Sequence, residues 1–105
     1  MTWNVYYTDD AVQDLQDIYD YISNVLLEPV IAEKQTNRIM DAADSLNYMP
    51  LRYRLYDYEP WRSKGFRILP VDNYLIFYLP EELPGTVAII RIMYGGRDVK
   101  RYLGK

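Results

Sequence analysis

The chain has 105 residues, 50% of them apolar and 26% charged, with a formal net charge of −3; this suffices for one domain, residues 1–105, around one core. Cysteine and histidine are both absent, which removes disulfides, thiolate chemistry, the usual zinc ligands and the commonest general base near neutral pH, so neither a metal nor a cofactor is expected. There is no run of 18 apolar residues and no basic-then-apolar leader, and the expectation is a cytoplasmic protein without a membrane span.

Charge is unevenly distributed. Residues 1–60 carry 4 Lys/Arg against 11 Asp/Glu, whereas residues 61–105 carry 8 against 4. The two halves therefore differ in sign, which predicts an acidic and a basic face. The basic face suits phosphate or an acidic partner, while the acidic remainder and a pI near 4.8 weaken general affinity for nucleic acid. Of the three serines, Ser23, Ser45 and Ser63, none lies in a nucleophile-elbow setting.

Residues 2–7 (TWNVYY) are aromatic and β-branched and read as a strand. Thr8 is placed to cap a helix whose first turn holds Asp9 and Asp10, where the helix dipole favours negative charge. Val12, Leu15, Ile18 or Tyr19, Ile22, and Val25 or Leu26 recur at spacings of three and four, which predicts an amphipathic helix over roughly 9–27. Asp10, Asp14, Asp17 and Asp20 lie off that stripe and read as a solvated face, since no rigid loop gathers them as metal ligands. Pro29 suits the first turn of a second helix, over about 29–46, with Ala32, Gln35, Ile39, Ala42 or Ala43, and Leu46 as its stripe. A short link makes the pair an αα-hairpin, and both stripes need a sheet to cover them.

Residues 47–64 contain Pro50 and Pro60 and interleave Tyr48, Tyr53, Tyr56, Tyr58 and Trp61 with Arg52, Arg54, Arg62 and Lys64. This pattern suits either a surface that stacks bases and neutralises phosphates or a cover for the core rim from which the cations reach water. Three apolar runs follow, 66–71, 74–79 and 86–94, separated by Asp72-Asn73 and by a break over 80–85. They predict a three-stranded antiparallel meander. The middle run is apolar on both faces, the mark of a central strand covered on both sides. Arg91 stands mid-strand among isoleucines, so it either pairs with a carboxylate such as Asp98 or Glu59 or serves function. Residues 97–103 are predicted to form one or two helical turns of a basic tail that also holds Lys100, Arg101 and Lys105.

On this order stand RILPV at 67–71, YLIFY at 74–78 and RIMYGGRD at 91–98. Over nearly its full length the chain resembles the RelE/ParE superfamily of toxins from bacterial type II toxin–antitoxin systems. The resemblance implies an α+β fold: an N-terminal strand, a helical hairpin packed on a small antiparallel sheet, and a short C-terminal helix. It also implies neutralisation by a cognate antitoxin. In function the superfamily divides between RelE-type mRNA interferases, which cut messages in the ribosomal A site without metal, and ParE-type poisons of DNA gyrase, which need no catalytic residues.

For an mRNA interferase the resemblance assigns Arg67 and Arg97 to the scissile phosphate, with Tyr94 or Tyr102 near the 2′-hydroxyl. Leu69 and Leu75, however, stand where such a site would hold further cations, whose charge stabilises the transition state. That deficit favours a ParE-like inhibitor of gyrase; an mRNA interferase and an inactive antitoxin-binding module are the alternatives. Arg52, Arg54, Arg62, Lys64, Arg91, Lys100 and Arg101 are then the candidates for binding target or antitoxin.

Overall fold

The computed structural model describes residues 2–96 and Leu103. Strand β1 (Asn4–Tyr7) leads through Thr8 into α1 (Asp9–Asp20), which ends in a π-helical turn, Tyr21–Val25. Helix α2 (Pro29–Asp44) follows, then two 3₁₀ turns, Ser45–Asn47 and Pro50–Arg52, and the strands β2 (Arg67–Val71), β3 (Tyr74–Glu81) and β4 (Thr86–Tyr94). The predicted tail helix at 97–103 lies almost wholly outside the described residues. No helix among the described residues is long and apolar enough to cross a membrane.

The four strands lie in the order β1-β4-β3-β2. As expected, β2, β3 and β4 form an antiparallel meander, with Val71 opposite Tyr74 across the Asp72-Asn73 turn. Asp72 takes the positive φ of 55° that this tight turn requires. The N-terminal strand adds to β4 in parallel, Asn4 beside Thr86 through Tyr7 beside Ile89. The sheet is therefore mixed and not wholly antiparallel as the sequence suggested; alternation identifies a strand but carries no information on the direction of its neighbour.

Both faces of β3 are covered, as its apolar pattern requires. Ile76 and Tyr78 face the helices in a core with Trp3, Ala11, Ile39 and Leu46. On the opposite face Phe77 stacks on Phe66 (4.9 Å between centroids) and meets the edge of Tyr56 (5.3 Å), with Trp61 against Tyr56. Residues 53–66 thus form the second layer over the sheet. Their aromatics cover the core; Tyr58, at the surface, is an exception. On the helix side the phenol of Tyr78 donates to the Pro50 carbonyl at 2.6 Å, which ties the 3₁₀ turn Pro50–Arg52 to β3. Burial pushes its pKa up to about 12.

The helix stripes are rotated slightly from the expected ones. In α1 the buried side is Ala11, Leu15, Ile18 and Ile22, while Val12, Val25 and Leu26 are exposed. Past Ile22 the hairpin tip leaves Val25, Leu26 and Leu27 largely in water. In α2, Ala32, Thr36, Ile39 and Ala43 are buried. The Thr36 hydroxyl is tolerated there because it donates back to the Ala32 carbonyl at 3.0 Å. Arg38 holds the β2–β3 turn bidentately through Asp72, at 2.8 and 2.7 Å, and Gln35 adds a third bond at 3.0 Å.

Two stability predictions follow from these ties. Tyr78→Phe leaves the buried Pro50 carbonyl without its donor and costs about 1–3 kcal/mol, against about 2–5 kcal/mol for Ile39→Ala in the same core. Urea unfolding measures both, and an unchanged midpoint for Tyr78→Phe would show that water replaces the phenol. The second concerns acid. The Arg38 guanidinium, with Gln35, holds the Asp72 carboxyl below its ordinary range. A depressed folded-state pKa stabilises above the unfolded value, near 3.9, and that contribution is lost as pH falls through the folded value. Asp72→Asn therefore shows a smaller drop in urea midpoint between pH 6 and pH 3 than the parent chain.

Candidate functional site

Where β1 ends at Tyr7, the outer edge of β4 continues from Ile90 to Tyr94 without a strand neighbour among the described residues. A bulge sits at this point: Phe77 pairs with Arg91 and Tyr78 with Ile89, so Ile90 is the extra residue. Helix α1 covers the break with two side chains. Thr8, the N-cap, accepts the Ala11 N–H at 3.1 Å, and its hydroxyl lies 3.0 and 2.8 Å from the carbonyls of Ile89 and Ile90. Asp14, two turns on, accepts both the Nε and Nη2 of Arg91 at 2.8 Å and the backbone N–H of Ile92 at 2.9 Å. The side chains of Arg91 and Asp14 are 24% and 12% exposed, so the pair is largely shielded from water.

Among the described residues Arg91 pairs with Asp14 and not with Glu59, while Asp98 lies outside them. Asp14 belongs to the carboxylate row read as a solvated face; Asp10, Asp17 and Asp20 are exposed on it, whereas Asp14 turns inward. The signal available in sequence was the mid-strand charge itself, which demanded a counterion, but spacing does not choose one among fifteen acidic residues.

Below this pair opens a cleft of about 940 Å³ between the helical hairpin and the ends of β3 and β4. Asp14, Asp17, Tyr21, Tyr74, Arg91 and Tyr94 contribute to its wall. The rings of Tyr74 and Tyr94 meet edge to face, 5.8 Å between centroids. Burial raises the Tyr74 pKa, and the neighbouring Tyr94 and Tyr21 phenols add to the shift; all three tyrosines line the cleft. Gly96 leaves room for the Tyr94 ring: a Cβ at that position would stand 2.5 Å from ring carbon Cε2.

Of the residues assigned to RNA cleavage, the two that are described, Tyr94 and Arg67, lie apart. Arg67 lies at the other end of the sheet from Tyr94, since Arg67 faces Tyr78 whereas Tyr94 faces Tyr74. Four residues of β3 amount to about 13 Å, before the strand spacing is added. Arg67 Nη1 donates to the carbonyls of Tyr53 (2.6 Å) and Leu51 (3.3 Å), and its Nε is buried without a partner among the described residues. Leu69 is buried in the helix-side core, and Leu75 is half-buried. Arg97, Tyr102, Lys100 and Arg101 lie outside the described residues.

The other candidate cations are spread over the aromatic layer. Arg52 donates to the carbonyls of Tyr48 and Met49 and stacks over Tyr53 at 4.7 Å from the ring centroid. Arg54 pairs with Asp57 at 3.0 Å. Arg62 and Lys64 are exposed.

Two helices on one face of a mixed four-stranded sheet, with an irregular aromatic layer on the other, make a small α+β domain of a kind seen in solved toxin–antitoxin structures. One is a chromosomal ParDE TA system from P. aeruginosa, 23% identical, TM-score 0.72, covering 89% of this chain and 96% of that one. Another is the toxin–antitoxin complex RelBE2 from Mycobacterium tuberculosis, 21% identical, TM-score 0.64, covering 90% and 99%. A third is the archaeal RelE–RelB complex from Pyrococcus horikoshii OT3, 17% identical, TM-score 0.56, covering 92% and 99%. No curated protein matches the chain significantly. The family model described as ParE toxin of type II toxin-antitoxin system, parDE, matches residues 5–99, and the chain belongs to that family.

Asp14→Asn tests the anchor at the bulge. It removes the Asp14 carboxylate from the largely buried Arg91 guanidinium, and the expected cost is about 2–3 kcal/mol, below that of a fully buried pair because water reaches part of the arginine. Asp17→Asn, on the same helix but exposed, stays within about 0.5 kcal/mol of the parent. Equal urea midpoints for the two variants would remove the special role of Asp14.

Proposed function

We propose that this ParE-family toxin arrests growth by binding a protein target, DNA gyrase, and that a cognate antitoxin neutralises it. The observation that carries the reading is electrostatic. Metal-free cleavage of a phosphodiester needs several cations preorganised around one phosphate, and loss of one such donor typically costs about 10²–10³ in rate. Among the described residues Arg91 is the one cation on the wall of the cleft, beside Asp14 and Asp17, and it is matched by Asp14. Arg67 is engaged with the backbone of residues 51 and 53. A cation in place of Leu69 would be buried among Ile39, Ile76 and Tyr78, at a high desolvation cost. A binding toxin has no such requirement.

The antitoxin is supported by the surface of the hairpin tip. Tyr21, Val25, Leu26, Leu27, Val30 and Ile31 are each more than half exposed and close together in sequence. Leu27 combines 76% exposure with a φ of 58°, a conformation costly for leucine. An apolar patch of this kind marks a partner surface. An antitoxin segment whose apolar residues cover the tip and the adjoining cleft fits it, in the manner of an extended or helical peptide laid in a groove.

Brief expression in cells, with message integrity read by primer extension and DNA damage read by SOS induction and filamentation, tests the reading. SOS induction with intact messages is expected. A-site cuts with rapid translation arrest and no SOS response would overturn it in favour of an mRNA interferase. Neither response, in a chain that still binds its antitoxin, would leave a binding module without toxicity.

A further inference from the structure

We propose that the cleft receives an arginine side chain from the partner polypeptide, its guanidinium stacked on the tyrosine rings and paired with Asp17. On the toxin reading above, on which the identity of the occupant rests, that polypeptide is the antitoxin. The chemistry of the wall selects the ligand. Tyr21, Tyr74 and Tyr94 converge there, and aromatic faces attract a cation through their quadrupole. Two carboxylates, Asp14 and Asp17, stand against one guanidinium, Arg91, among the described lining residues. Both oxygens of Asp14 are engaged by Arg91. Asp17 has a neutral partner, the Gln13 amide at 2.9 Å, and no cation partner among the described residues. Among the described lining residues the surplus charge is therefore the Asp17 carboxylate.

Planarity favours arginine over lysine, since a guanidinium can lie flat on a ring while its edge meets a carboxylate. The same charge balance opposes a phosphate. Leu26 and Ile31 carry the wall of the cleft onto the exposed tip at Val25, Leu27 and Val30. That continuity points to a chain with apolar residues beside its arginine and not to a free small molecule. Gly96 fixes the outer wall by admitting the Tyr94 ring against the backbone.

The test uses the isolated chain, ¹⁵N-labelled, and titrates it with Nα-acetyl-arginine amide, with the neutral isostere Nα-acetyl-citrulline amide, and with dimethyl phosphate. The arginine probe is expected to shift the amides of Asp17, Tyr21, Tyr74 and Tyr94, saturating in the millimolar range, while citrulline shifts them little. Asp17→Asn and Tyr94→Ala each weaken the arginine probe by about three- to tenfold, and Tyr94→Phe, which keeps the aromatic face, does not. Unshifted amides elsewhere establish that each variant is folded. Equal response to arginine and citrulline, response to dimethyl phosphate in place of arginine, or shifts confined to other surfaces would each overturn the proposal. Because the probes report on the cleft without antitoxin or cellular target, this outcome is independent of whether expression induces the SOS response.

Discussion

The fold turns on the Asp14–Arg91 contact at the β4 bulge. Strand β1 covers only the first part of β4, so the last five residues of the longest strand would present unpaired backbone at an edge. Asp14 takes the Ile92 amide and the Arg91 guanidinium at once, and Thr8 lies against the two carbonyls just before. One helix thereby docks on the sheet through polar groups where its apolar stripe is narrow. Beyond that anchor the cleft opens between the hairpin and the sheet, and the apolar tip stands in water.

The same economy governs other arginines of the chain. Arg67 gathers the carbonyls of residues 51 and 53, Arg52 those of 48 and 49, and Arg38 the turn at Asp72. Segment 47–66 has little regular structure, so its carbonyls need side-chain donors. Several arginines that the sequence offers for phosphate contact are drawn into this work. The second sheet edge is protected as well: Leu55 bridges to Arg67, the Ile68 N–H reaches the Arg54 carbonyl, and Pro70 offers no N–H. With Asp14 on the Ile92 amide, neither edge presents a continuous row of donors among the described residues. A partner would rely on side-chain contacts, and the tyrosine cleft and the apolar tip supply them.

Much of the architecture was legible in the residues. Spacing of three and four gave the two helices, and Thr8 and Pro29 marked their starts. Alternation and Asp72-Asn73 gave the β2–β3 hairpin. The doubly apolar run 74–79 identified the central strand, because a strand covered on both sides has no polar face to show. These are local properties, fixed by backbone geometry and by which side chains must leave water.

What tertiary structure decided was pairing at a distance. The parallel addition of β1 to β4, the choice of Asp14 for Arg91, and the use of Arg67 as a backbone clamp each join residues 14 to 82 positions apart. A counterion or a strand neighbour is selected by the packing of intervening elements, and periodicity does not encode it. The cleft is of the same kind: Tyr21 and Tyr74 are unremarkable among twelve tyrosines, and Tyr94 stood out only through the family likeness, until the hairpin is laid across the sheet. The sequence determined the elements and the family likeness; the helix docking at the bulge determined which side chains could act together.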